Sequence, residues 1–89
     1  MSAAADRNEI GNGKPSGFIR LRSRRGQREL DLLFERYLDT RYAQASDEER
    51  KAYAKLLEQP DPDILDWVLG RAAPPAELSR VIRALATRH

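Results

Sequence analysis

The chain has 89 residues, 40% of them hydrophobic and 34% charged, which suffices for one small domain and is too little for a dinucleotide-binding or barrel fold with a complete catalytic apparatus. There is no cysteine, and the single histidine is the last residue, so a disulfide framework, a thiol nucleophile, a zinc ribbon, an HExxH helix and a Ser-His-Asp triad are all set aside. The net charge of +2 predicts no partner, but the charges fall in blocks: +5 over residues 20–28, −5 over 29–49 and −4 over 58–66, a polarised surface suited to steering a partner.

Residues 1–17 read as a disordered tail. They hold Gly11, Gly13, Pro15 and Gly17, with Ile10 the only large apolar residue after Met1, too little burial to offset the entropy of ordering. The tail has neither the apolar core of a signal peptide nor the Arg-rich, acid-poor make-up of a transit peptide, so a cytoplasmic protein is expected. No apolar run approaches the ~18 residues of a membrane span, and no membrane insertion is expected.

Residues 18–89 read as a single all-α domain, a compact bundle of five short helices. A first helix is expected over Phe18–Arg24, with Phe18 and Ile19 inward and Leu21 or Arg22 beside them, broken at Gly26. The second runs from Gln27 to Ala43, its Leu30, Leu33, Phe34, Tyr37, Leu38 and Tyr42 repeating at helical spacing. Glu29 and Asp31 sit in its first turn, where the helix dipole favours acids. Tyr37, Tyr42 and Tyr53 fit the inner stripes, with their hydroxyls expected at the surface.

Ser46-Asp47-Glu48-Glu49 has the form of a capping box: the Ser46 hydroxyl would accept from the Glu49 amide while the Glu49 carboxylate reaches back to the Ser46 N–H. It opens a third helix ending near Glu58. Asp61-Pro62 opens a fourth, with Asp61 as N-cap and Pro62 in the first turn. There Trp67 is read as core, and Asp61 and Asp63 as cap and dipole partners rather than metal ligands. Gly70 ends that helix. Pro74-Pro75 starts the fifth, with Leu78, Val81, Ile82 and Leu85 on one face. Such a bundle can hold a partner-binding surface but not a deep cofactor pocket, and it looks self-sufficient as a monomer.

Chemistry concentrates in Arg24-Arg25-Gly26-Gln27-Arg28-Glu29-Leu30-Asp31. Gly26 permits a backbone conformation or a close approach that a Cβ would block. Around it stand three arginines able to bind in a bidentate manner and two carboxylates. A plain helix join with solvated charges accounts for the segment; so does a docking surface in which Gly26 admits another chain and the charges fix its orientation. Glu29 and Asp31 are two residues apart on a helix and face different sides, so they do not form an acid–base couple. His89 is expected to be mobile.

Arg25-Gly26-x-x-Glu29 with Leu30-Asp31 resembles the Arg-Gly-x-x-Glu motif of the succinate dehydrogenase FAD assembly factors, or flavinylation factors. Ser46-Asp47-Glu48-Glu49 with Leu56-Leu57-Glu58 is similar to that family's third helix, and Asp61-Pro62-Asp63-Ile64-Leu65-Asp66-Trp67 to its "DPD…W" segment. In order, the likeness runs from about Ile19 to Arg88. It implies a five-helix chaperone, not an enzyme, that binds the flavoprotein subunit of succinate dehydrogenase or of the related fumarate reductase. It implies that binding promotes covalent attachment of FAD to a histidine of that subunit, with no cofactor, catalytic residue or metal held by this chain. The motif residues Arg25, Gly26 and Glu29 would face the flavoprotein, with Arg24, Arg28 and Asp31 beside them. Against the family's usual pattern the N-terminal tail is longer, and the chain stops at His89.

Two other functions are weighed. Some members of that family carry an antitoxin label as partners of a small membrane toxin, which is again protein binding. A nucleic-acid-binding domain could use Arg20–Arg28 on phosphates. Against it, the arginines are not interleaved with aromatics, acidic blocks flank them, and no helix has the make-up of a recognition helix.

Overall fold

A computed structural model describes residues 15–86. Five α-helices follow one another: α1 Gly17–Arg22, α2 Arg28–Thr40, α3 Asp47–Leu56, α4 Asp61–Val68 and α5 Ala76–Ala86. One 3₁₀ turn, Tyr42–Gln44, lies between α2 and α3, and no strand occurs among the described residues. Of the expected tail over residues 1–17, positions 1–14 lie outside the described residues, as does His89, whereas Ser16 and Gly17 are the cap and first residue of α1. Among the described residues no helix is long and apolar enough to cross a membrane.

The apolar periodicity explains the packing. Leu30, Phe34, Tyr37 and Leu38 of α2 are buried, as are Tyr53 and Leu56 of α3, Ile64 of α4, and Leu78, Val81, Ile82 and Leu85 of α5. They form one core, with α5 packed against α2, α3 and α4. Trp67 is half-buried and packs on that core. α1 is different: it buries no residue of its own and touches the core through the partly buried Ile19. Phe18 is 63% exposed and Leu21 69% exposed, against the expectation that they point inward. Six residues make under two turns, too few to turn a full stripe inward.

Helix ends show where local signals hold. Ser16 caps α1, its hydroxyl accepting from the Ile19 amide at 3.1 Å. α4 ends at Gly70, whose φ is +79°; the Arg71 N–H donates to the Asp66 carbonyl at 2.8 Å and the Gly70 N–H to the Trp67 carbonyl at 3.2 Å. That double bond pattern needs the left-handed residue a glycine supplies without strain. α2 stops three residues before the expected Ala43. The Arg50 guanidinium takes the Tyr42 and Ala43 carbonyls at 3.0 and 2.9 Å and serves them in place of further α-helix.

Half of the Ser46 capping box forms. The Ser46 hydroxyl accepts from the Glu49 amide at 3.1 Å, but the Glu49 carboxylate turns into the protein. There it accepts from the Tyr37 hydroxyl at 2.8 Å and from Arg41 Nε and Nη2 at 2.8 and 3.1 Å. The tyrosine hydroxyls were expected at the surface. Instead the Tyr37 hydroxyl is spent on Glu49, and the Tyr53 hydroxyl lies 2.6 Å from Ser23 Oγ. Because Ser23 Oγ donates to the Ile19 carbonyl at 2.8 Å, Tyr53 is the donor of that pair. Burial pushes both hydroxyls well above the ordinary tyrosine range, which keeps both protonated and donating.

Glu49 gives a pH test. The hydrogen bond from Arg41 holds its carboxyl below the ordinary range against the opposing effect of burial, and the Tyr37 bond adds to it. A depressed folded value means the stabilisation is complete above the ordinary glutamate range of about 4.3 and is lost as pH falls below it. Urea unfolding at pH 7 and at pH 3 should show the wild type losing more stability than Glu49→Gln between the two. Equal losses would remove Glu49 from the account.

Candidate functional site

Residues 23–27 join α1 to α2 around Gly26, and this turn is built rather than loose. Gly26 has φ +79°, a region where a Cβ costs energy. A Cβ there would meet no atom within 4 Å, so the left-handed backbone, not crowding, asks for glycine in the free chain. Asp31, one turn into α2, closes the loop: its Oδ1 accepts the Arg25 N–H at 2.7 Å and its Oδ2 the Gly26 N–H at 3.2 Å. Gln27 caps α2, its Oε1 accepting from the Leu30 amide at 2.9 Å.

Arg25 ties this turn to the α3–α4 loop and the start of α4. Its Nε donates to Asp61 Oδ1 at 2.7 Å, Nη1 to the Leu57 carbonyl at 2.7 Å and Nη2 to the Gln59 carbonyl at 2.6 Å. Nη1 also reaches the Arg22 carbonyl at 3.1 Å. The Arg25 side chain is 12% exposed and that of Asp61 32%. Asp61 is thus not the N-cap that the sequence suggests. Pro60 occupies the cap position, no side chain caps α4, and the Asp61 carboxylate is committed to Arg25.

The six residues singled out in the motif therefore divide. Gly26, Arg24, Arg28 and Glu29 are exposed. Arg25 and Asp31 are partly buried and spend their side chains inside the chain, Asp31 on the turn's own amides and Arg25 on Leu57, Gln59 and Asp61. Leu32, which the sequence reading passed over, joins the exposed set at 57%. It stands three residues after Glu29 and four after Arg28, so the three share an outward face of α2. Its signal was present: it is an apolar residue off the buried stripe. Beside the turn, Arg20, Ser23, Arg24, Asp31, Glu35 and Leu38 line a shallow recess of about 280 Å³. The surface so formed is a tethered, left-handed glycine flanked by one carboxylate, two arginines and a leucine.

Fold and turn together define a small all-α domain that presents a glycine-centred, charged turn on a fixed frame. A family model described as "Flavinator of succinate dehydrogenase" matches residues 19–89, and the chain belongs to that family. It is 38% identical over 68 residues to the FAD assembly factor SdhE of Coxiella burnetii, covering 75% of this chain and 83% of that relative. It is 40% identical over 65 residues to the SdhE of Acinetobacter baylyi, covering 72% and 76% of the two chains. To the SdhE of Xylella fastidiosa it is 50% identical over 52 residues, which is 58% of this chain and 54% of that one. No solved structure matches it.

Proposed function

We propose that the chain is an assembly chaperone: it binds the flavoprotein subunit of succinate dehydrogenase, or of the related fumarate reductase, and promotes covalent attachment of FAD to that subunit. The observation that carries this reading is the family match over residues 19–89, which spans the Gly26 turn and every described helix after it. The docking surface is Gly26 with Arg24, Arg28, Glu29 and Leu32, set in place by Arg25 and Asp31.

The chain acts by positioning, not by turnover. A small rigid frame that seats against two parts of a partner can hold them where the flavin and its attachment residue meet. Flavin stays with the partner, the new bond forms there, and the chaperone works as a monomer. Arg24 and Arg28, with the opposite charge of Glu29 beside Arg28, orient the encounter, and the exposed Leu32 adds apolar contact that salt does not screen.

The test is capture of the purified flavoprotein subunit by this chain at rising salt. The proposal expects a one-to-one complex that survives moderate salt. Failure to bind the subunit overturns it.

A further inference from the structure

Resting on the docking surface proposed above, we propose that Arg25 and Asp61 form a latch that sets the Gly26 turn for the partner, and that Arg25 acts through the turn without touching the partner itself. An arginine in a motif that faces a partner is ordinarily taken to reach for it. Here the guanidinium has five N–H donors, and four hydrogen bonds within the chain engage all three of its nitrogens. Its partners lie up to 36 residues away, in the α3–α4 loop and the first residue of α4. Four of its five N–H donors are thus committed within the chain, to Asp61 and to three carbonyls.

The turn needs such a tether. α1 buries no residue; among the described residues the segment before Gly26 is tied to the core through Ile19, the Ser23–Tyr53 hydrogen bond and Arg25. The bonds to Asp31 shape the turn locally but do not fix it to the rest of the bundle, because Asp31 is on the helix the turn leads into. Arg25 provides that longer link. A planar fork that meets a carboxylate and two carbonyls also sets orientation, which a lysine's single ammonium cannot. Pre-setting the turn lowers the ordering cost at the moment of binding.

The test is a double-mutant cycle in the full chain with Arg25→Gln, Asp61→Ala and both together, plus Arg25→Lys. Affinity for the flavoprotein subunit is measured for each, and circular dichroism confirms that each is folded at the assay temperature. The latch predicts that Arg25→Gln weakens binding about tenfold or more and that Asp61→Ala weakens it too. It predicts that adding Asp61→Ala to Arg25→Gln costs nothing further, since coupled residues fail to add. Arg25→Lys should not restore affinity. Losses that add, normal binding by Asp61→Ala, or rescue by Arg25→Lys would place Arg25 on the partner instead.

Hydrogen exchange at the Gly26 amide in the free chain gives a readout that needs no partner. The latch predicts faster exchange in both single variants than in wild type; unchanged exchange overturns it. If exchange rises as predicted while wild type fails to bind the subunit, the proposed function falls and the latch stands.

Discussion

Gly26→Arg abolishes capture of the flavoprotein subunit while the helical domain stays folded. A residue with a Cβ at φ +79° pays roughly 1–2 kcal/mol of backbone strain. That lowers the melting temperature by about 4–8 °C per kcal/mol in a domain of this size. The Cβ meets nothing within 4 Å, so no internal clash adds to this, and the far-UV spectrum of the variant should match that of wild type. On the complex the same side chain stands in the middle of the docking surface, between Arg24 and Arg28, where it holds the partner off and adds a third exposed positive charge. An affinity loss of at least ~100-fold is expected, the effect of a few kcal/mol of overlap at a packed interface. Gly26→Asn separates the two causes, because asparagine tolerates the left-handed region. It should melt close to wild type and still bind more weakly. Normal binding by Gly26→Arg would remove the turn from the interface and leave it a join between helices.

Tyr53→Ala strikes the frame rather than the surface. Tyr53 is fully buried and sits at the centre of the aromatic cluster: its ring stacks on Tyr37 at 4.6 Å and meets Phe34 and Tyr42 edge-on at 5.7 and 6.1 Å. It also donates to Ser23, one of the few ties that hold the α1 end of the motif turn. Truncating a buried aromatic costs about 3–5 kcal/mol, against a total stability of about 5–15 kcal/mol for a typical domain. The variant should lose about 15–30 °C of melting temperature, and binding should fall with the folded fraction. Tyr53→Phe keeps the ring packing and should recover most of the stability. A melting temperature within a few degrees of wild type for Tyr53→Ala would mean that the cluster is not the keystone of the core.

The difference between what was and was not legible in the sequence follows the range of the interactions involved. The buried faces of α2 and α5 are written in the i, i+3, i+4 repeats of Leu30 to Leu38 and Leu78 to Leu85. The helix ends at Ser46 and Gly70 follow from a hydroxyl acceptor and a left-handed glycine, both of which act within a few residues. The motif itself was visible as a cluster of unusual residues around Gly26.

Tertiary pairings were not legible. Asp61 before Pro62 has the local form of a cap, and the competing partner, Arg25, lies 36 residues earlier. Glu49 has the local form of a reciprocal cap, but Arg41 and the Tyr37 hydroxyl outbid the Ser46 amide for its carboxylate. Polar tips on an apolar stripe gave no sign that Tyr37 and Tyr53 would find partners inside the core. The division of the motif into an exposed set and an inward pair, Arg25 and Asp31, needed coordinates as well: five arginines between residues 20 and 28 look alike in sequence, and only Arg25 is forked onto another loop.

The most direct test of the account is covalent flavin on the flavoprotein subunit, read as in-gel fluorescence after denaturation. The subunit is produced without this chain, with wild type and with Gly26→Arg. Strong fluorescence is expected with wild type, and little with the variant or with no chaperone. Equal fluorescence in all three would contradict it.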